Sequence, residues 1–320
     1  VLVNLGTVES PTPEGVRAFL EEFLSDPLVV DYPRWLWRPV LNRILRTRPV
    51  KVAEMYKTIW SEEGSPLKTG TRRLAQELGR RTGAEVRFAF RYGAPSLHGE
   101  VESSRGVGCT VVPLFPQRTG STTGTIEGIL SKLARASDAL AYRIQYIEPD
   151  DRGYVEALAD ACREAFDEDS APAPEHLVVS FHGIPKRYDR AEGGRYRRDC
   201  EVTFSSLLER LSWSRERATL SFQSRFGPEP WIGPATADVL SKLGMSGVRS
   251  VAVTTPGFLT EGLETVEEIG IRGRRTFLQA GGERFVRVPA IEAHPFFVAS
   301  LAEALSRAAE QPTAIGDSSP

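Results

Sequence analysis

The chain has 320 residues, with 40 basic against 42 acidic side chains and 41% hydrophobic residues. The length speaks for about two domains of a soluble globular protein, and the near-neutral balance lacks the basic surplus that a nucleic-acid partner calls for. Three widely spaced cysteines, Cys109, Cys162 and Cys200, exclude a disulfide framework and fit no metal-ligand spacing.

The chain opens on the strand-like run VLVNLG, with no basic n-region and no apolar stretch near 18 residues. Neither a secretory signal nor a spanning helix is read, and the cytoplasm is the default location. Strands are predicted near 1–5, 84–90, 109–115 and 140–146, then near 176–181, 217–223, 248–254 and 284–288. Between them lie the amphipathic stretches EGVRAFLEEFL, TRRLAQELGRR, TIEGILSKLARA and YVEALADACREAF. Such alternation predicts an α/β protein of two doubly wound domains, each a four-stranded parallel sheet flanked by helices, with the active cleft between them. The expected division is 1–143 as the N-terminal domain, with an apolar lip at 24–48, and 144–293 as the C-terminal domain. Residues 294–308 are expected to form a helix packing back on the N-terminal domain. The loop at 167–176 falls inside the second half, and the polar tail 309–320 is expected to be disordered.

Doubly wound sheets bind ligands at the carboxyl ends of their strands. That rule selects the loops GTVESPTPEG, RYGAPSL, FPQRTGSTTG, HGIPKRYD, QSRFGPEPWIGPAT and TPGFLTEGLE. No G-x-G-x-x-G opens a helix and no G-x-x-x-x-G-K-[ST] occurs, so the familiar nucleotide sites are excluded. RTGSTTGTIEG starts a helix after a strand; its hydroxyls suit either an anion or the cap of that helix.

Of four histidines, His98 begins a surface helix, His176 follows a proline-rich loop and His294 stands at a helix entry. Only His182, in VVSFHGIP, ends a buried-type strand at the expected cleft. Read as one α-helix, TEGLETVEEIG places Glu261, Glu264 and Glu268 at i, i+3 and i+7, on one face. Glu267 points elsewhere and reads as plain surface. A row of like charges suits a cation or shared protons, and equally a solvated face whose early glutamates complement the helix dipole. One imidazole near such a row suits a metal site or a proton-transfer pair.

The segment FLEEFLSDPLVVDYPRWLWRPVLNRILRTRPVK is odd for a loop, carrying Trp35, Leu36, Trp37, Val40, Leu41, Ile44 and Leu45 among Arg34, Arg38, Arg43, Arg46 and Arg48. Three readings stay open: an interfacial helix, a pocket for a large flat apolar ligand with carboxylates, or core packing with outward arginines.

Taken together, LVNLGT, PTPEGVRAFLEEFLSD, IWSEEGSPL, RYGAPS, SFHGIP, FQSRFGPEPWIGP and GFLTEGLETVEEI resemble the ferrochelatase family, in its proteobacterial branch, over roughly residues 1 to 305. The resemblance implies insertion of Fe2+ into protoporphyrin IX, the terminal step of haem biosynthesis, with release of two protons. It assigns His182 and Glu264 as catalytic, and His182, Glu264, Glu261 and Glu268 as the metal side. It assigns Leu5, Ser65, Arg91, Tyr92 and Trp231 to the porphyrin. Protoporphyrin IX and ferrous iron are the implied substrates, no cofactor is permanently bound, and an oligomeric partner is left open. Peripheral membrane contact through residues 33–48 is expected, at the inner face of the membrane.

Four departures from the family's pattern stand out. Arg118 and Gly120 stand where relatives often carry Tyr and Cys, and residues 201–320 hold no cysteine, so no iron–sulfur cluster is expected. Gly193-Gly194 replaces a Gly-Asp pair. Gly262 replaces a histidine of animal relatives. Leu5 stands where the coproporphyrin-using branch tends to have tyrosine, which favours protoporphyrin. The rival readings are a coproporphyrin ferrochelatase, a non-catalytic tetrapyrrole carrier, a cobalt-inserting chelatase and a glycosyltransferase, the last without its nucleotide signature.

Overall fold

β-Branched and apolar runs bounded by glycine and proline become strands, because stiff side chains pack well on a pleated, buried surface. The computed structural model describes residues 1–136, 140–167 and 172–310. Among these, all eight expected strands are present. The tail from 311 onward and loop residues 168–171, both singled out in the sequence, lie outside the described residues.

The chain divides into two compact units, Val1–Ile147 with the end of the chain from Leu301, and Glu148–Ser300. Helix Pro295–Glu310 begins in the second and ends in the first.

In the first unit, β1 (Leu2–Gly6), β2 (Phe88–Tyr92), β3 (Cys109–Pro113) and β4 (Tyr142–Ile144) pair in the order β2-β1-β3-β4, all parallel. β2 starts later than expected, since pairing begins only where Phe88 meets Leu2. β4, at the edge beside β3, spans three residues. Helices Pro13–Leu24, Pro66–Thr82 and Thr125–Ala136 match the amphipathic stretches. Thr12 caps the first by accepting from the Gly15 N–H at 3.1 Å, with Pro13 at the first helical position. The core gathers Val3, Ala89, Leu97, Val101, Val111, Ile126 and Leu130.

In the second unit, β5 (His176–His182), β6 (Ala218–Gln223), β7 (Ser250–Thr254) and β8 (Arg284–Arg287) pair in the order β6-β5-β7-β8, again all parallel. Leu177, Val178, Val179 and Phe181 are wholly buried on β5. Each such side chain contributes about 1.5–3 kcal/mol over leaving it in water. Val239, Leu240, Val251, Val253, Ile269 and Phe277 complete the core around Val178. In each sheet the chain leaves the first strand to one side and returns on the other, between β1 and β3 and between β5 and β7. These are the switch points where side chains at carboxyl ends are open to a ligand.

Two elements differ from the expectation. The lip is no loop from residue 34 on: Arg34–Ile59 is one 26-residue helix that includes Pro39 and Pro49. Leu41 and Leu45 give it a buried side, while Trp35, Leu36 and Val40 stand exposed. The acidic segment is a π-helix, Leu263–Gly273, and a shorter π-turn, Gly120–Gly124, occupies the corresponding place after β3.

Candidate functional site

β5 ends on His182, and Gly183 is what lets it end there. A Cβ on Gly183 would sit 2.8 Å from the Gln223 carbonyl oxygen and 3.1 Å from the Trp231 ring. The Gly183 N–H instead donates to that carbonyl at 2.7 Å, closing the β5–β6 pairing in which His182 faces Gln223. Beyond it, Lys186 N–H donates to Pro230 O at 2.8 Å and Ile232 N–H to Ile184 O at 3.0 Å. These bonds seat Trp231 opposite Pro185. The Trp231 indole nitrogen is shielded from solvent and has no hydrogen-bond partner among the described residues.

The His182 ring is half-buried and lies 6.2 Å from the ring of Phe258, centroid to centroid. Its Nδ1 is 2.6 Å from the Gly183 carbonyl oxygen. A carbonyl only accepts, so Nδ1 carries a proton, and in the neutral ring the lone pair is on Nε2. Tyr196 donates its hydroxyl to the His182 carbonyl at 2.6 Å, fixing the backbone from below.

Glu264 stands in the first turn of the π-helix. Burial pushes its carboxyl above the ordinary glutamate value; the nearby His182 pulls it back, and Glu268 pushes the same way as burial. The structure thus brings His182 and Glu264 into electrostatic contact. A buried carboxyl that holds its proton more tightly than usual, beside an imidazole, is a pair able to exchange protons.

The rest of the acidic row is not the single α-helical face that the spacing predicted. Glu261 precedes the helix. It accepts from Arg287 Nη1 at 2.6 Å and from the Ala290 N–H at 3.1 Å, and the Thr265 hydroxyl also donates to it. Glu268 accepts from the Ser224 N–H at 2.8 Å and its hydroxyl at 2.6 Å. Glu267, expected on the surface, is 7% exposed and accepts from Arg272 Nε at 2.8 and 3.1 Å. The wider π winding turns each residue less than an α-helix does, which carries position 267 inward. Among the described residues, no three His, Cys, Asp or Glu side chains are gathered as a ready metal-ligand set.

In the first unit, Leu5 is half-buried on β1, and its N–H donates to Asn4 Oδ1 at 2.8 Å. Ser65 is buried, with its hydroxyl 2.8 Å from that of Thr7. Arg91 and Tyr92 end β2 on Asp26. Arg91 forms an ion pair with it, and the Tyr92 hydroxyl donates to it at 3.1 Å. Burial holds the Tyr92 phenol well above its ordinary value, so it stays a proton donor. The three residues line an open cavity of about 760 Å3 with Glu22, Arg34 and Thr125.

Sequence reasoning missed Asp26, Gln223, Ser224, Phe258 and Arg287. Ser224 and Phe258 lie in loops that the strand-end rule selected, and Gln223 opens one of them. Asp26 and Arg287 carry no local signal, because each is defined by a partner at least 26 residues away.

The three cysteines are free; Cys109 is half-buried and Cys162 and Cys200 are buried. Burial pushes the Cys162 thiol up to about 12, which makes it inert at neutral pH.

Comparison with known proteins bears on this geometry. Residues 1–309 match the family model described as Ferrochelatase. The chain is 43% identical over 314 residues to a ferrochelatase of Aromatoleum aromaticum, covering 95% of this chain and 85% of the relative. It is 41% identical over 317 residues to one of Bordetella pertussis, covering 96% and 87%. It is 37% identical over 312 residues to one of Nitrosomonas europaea, covering 94% and 85%. In fold it is similar to SirB from Bacillus subtilis with Fe3+, with a TM-score of 0.55 at 17% identity, covering 77% of this chain and 92% of that one. It is also similar to CbiX, described as the terminal enzyme for biosynthesis of sirohaem in denitrifying bacteria. There the TM-score is 0.51 at 21% identity, covering 76% and 92%.

Proposed function

The chain belongs to the ferrochelatase family and inserts ferrous iron into protoporphyrin IX to give protohaem; from that premise we propose that His182 and Glu264 carry the chemistry. Two pyrrole protons must leave as the metal enters, and a flat macrocycle hides its nitrogen lone pairs. A bent ring, held by contacts around its rim, exposes them, with binding energy from elsewhere on the ring supplying the strain.

His182 Nε2 takes a pyrrole proton, or briefly holds the metal. The Gly183 carbonyl, already bonded to Nδ1–H, then stabilises the charged ring. Glu264 accepts the proton from the imidazole and passes it outward. Glu261 and Glu268 exchange their present partners for a hydrated cation on its approach. Leu5, Ser65, Arg91, Tyr92 and Trp231 contact the porphyrin, and no permanently bound cofactor takes part. The observation that carries this reading is the Nδ1 hydrogen bond that orients the His182 ring, beside a carboxyl whose pKa burial raises.

Anaerobic metallation tests it. His182→Ala and Glu264→Gln should each lower turnover by about 10²–10⁴-fold, while porphyrin fluorescence reports near-unchanged binding. Near-normal metallation by either variant would overturn the assignment. Protoporphyrin and coproporphyrin compared side by side should favour the first.

We further propose that the exposed side of helix Arg34–Ile59 docks on a membrane surface at the inner face of the cytoplasmic membrane, where an apolar substrate and product partition. Trp35 is 75% exposed, among exposed Arg34, Arg38, Arg43 and Arg46. No described helix is long and apolar enough to cross a membrane.

A further inference from the structure

We propose that Gln223 is the positioning residue that sets Glu264 against His182. This deepens the pairing of those two residues and rests on it. Gln223 is the last residue of β6, 3% exposed, and lies directly opposite His182 in the sheet. Its main-chain carbonyl takes the Gly183 N–H at 2.7 Å, which anchors the end of β5. Its side chain reaches the other way. Nε2 donates to the main-chain carbonyl of Glu264 at 2.8 Å. One residue therefore holds the backbone next to the imidazole and the backbone that bears the carboxylate.

The amide is itself held. Ser180 donates its hydroxyl to Gln223 Oε1 at 2.8 Å, and Thr236 Oγ1 lies 2.7 Å from Ser180 Oγ and 2.9 Å from Ser221 Oγ. The Glu264 carbonyl can only accept, so Nε2 must face it, and Oε1 then takes the Ser180 hydroxyl. Ser180, Ser221 and Thr236 are all buried, so the chain of bonds is rigid.

The Glu264 carbonyl lies in the first turn of the π-helix, and the Gln223 amide ties that turn from outside the helix to the end of β6. The neighbouring hold, Ser224 on the Glu268 carboxylate, grips a side chain that a cation competes for. The Gln223 bond grips backbone, which keeps its place whatever Glu268 does. Small displacement of a catalytic group is costly, since about 1 Å of misplacement loses about 10²-fold in rate.

Two substitutions and a control test this. Gln223→Met keeps length and removes the amide. Gln223→Glu keeps the acceptor for Ser180 and loses the donor toward Glu264. Both should lower kcat for metallation between about tenfold and 10²-fold, with KM for porphyrin within about twofold. Thr236→Val removes buried hydroxyl bonds at the base of the network without touching the Gln223–Glu264 bond. It should lower Tm at least as much as Gln223→Met and leave kcat near wild type. Amide exchange over residues 264–268 should quicken in Gln223→Met and not in Thr236→Val. If Gln223→Met keeps kcat within about twofold while Glu264→Gln is inactive, the positioning role is wrong and the catalytic pair stands. If Thr236→Val loses kcat in step with Gln223→Met, Gln223 is only a packing residue. If Glu264→Gln is itself active, the pair fails first.

Discussion

His182 shows how one residue draws its chemistry from its immediate neighbours. Its position at a strand end was legible, because β-branched residues stop there and Gly183 and Pro185 follow. Its tautomer was not, since that depends on a carbonyl brought to 2.6 Å by the turn. His176, at the other end of the same strand, has an ordinary role. Burial lowers its imidazole below the usual value, Arg217 adds to this, and its Nε2 lies 2.8 Å from Thr219 Oγ1. Its folded value is below its unfolded value, so the unfolded chain binds more protons as pH falls below about 6.5. Stability is therefore full above that point and drains away beneath it, toward the lower folded value. Thermal unfolding of His176→Gln between about pH 5 and 7 should show a shallower acid decline than wild type. Parallel curves would mean that another group sets the slope.

At the scale of an element, the π-helix Leu263–Gly273 is where periodicity misled. The spacing of Glu261, Glu264 and Glu268 fits an α-helical face, yet Glu261 lies outside the helix and Glu267 inside the core. Nothing in TEGLETVEEIG distinguishes i→i+5 bonding from i→i+4, because winding is chosen by what the helix packs on. The start of this helix depends on Thr265, which is 1% exposed. Its hydroxyl accepts from the Gly262 N–H at 3.0 Å and also donates to Glu261. Thr265→Val should cost about 0.5–2 kcal/mol, as the loss of a cap does, seen as a lower denaturant midpoint. Metallation should fall as well, because Glu264 is the adjacent residue. A variant with unchanged midpoint would show that packing alone starts the helix. The lip helix teaches the converse: alternating arginines and apolar residues were legible as amphipathic, but Pro39 and Pro49 hid its length.

At the scale of the molecule, the helix Arg34–Ile59 makes a prediction about location. Replacing Trp35 and Leu36 by serine should weaken co-sedimentation with anionic vesicles, and added salt should weaken it further by screening the arginines. Binding that survives both would place the contact elsewhere. The two units share one strand order, β2-β1-β3-β4 and β6-β5-β7-β8, and each has a π-turn after its third strand. No sequence repeat announces this, because parallel sheets demand only buried β-branched runs, which many unlike sequences supply. What the amino-acid order by itself determined was local: eight strands, the helices between them, the loops at strand ends, the histidine among them and the family through its long motifs. Hydrophobic period, turn residues and motif spacing are properties of neighbours in the chain. What only the tertiary structure decided was which partners those groups meet. Asp26 holds Arg91 and Tyr92, Arg287 holds Glu261, and Gln223 spans from the end of β5 to Glu264. Those bonds join residues 26 to 66 positions apart, and only folding brings such distant groups within hydrogen-bond reach.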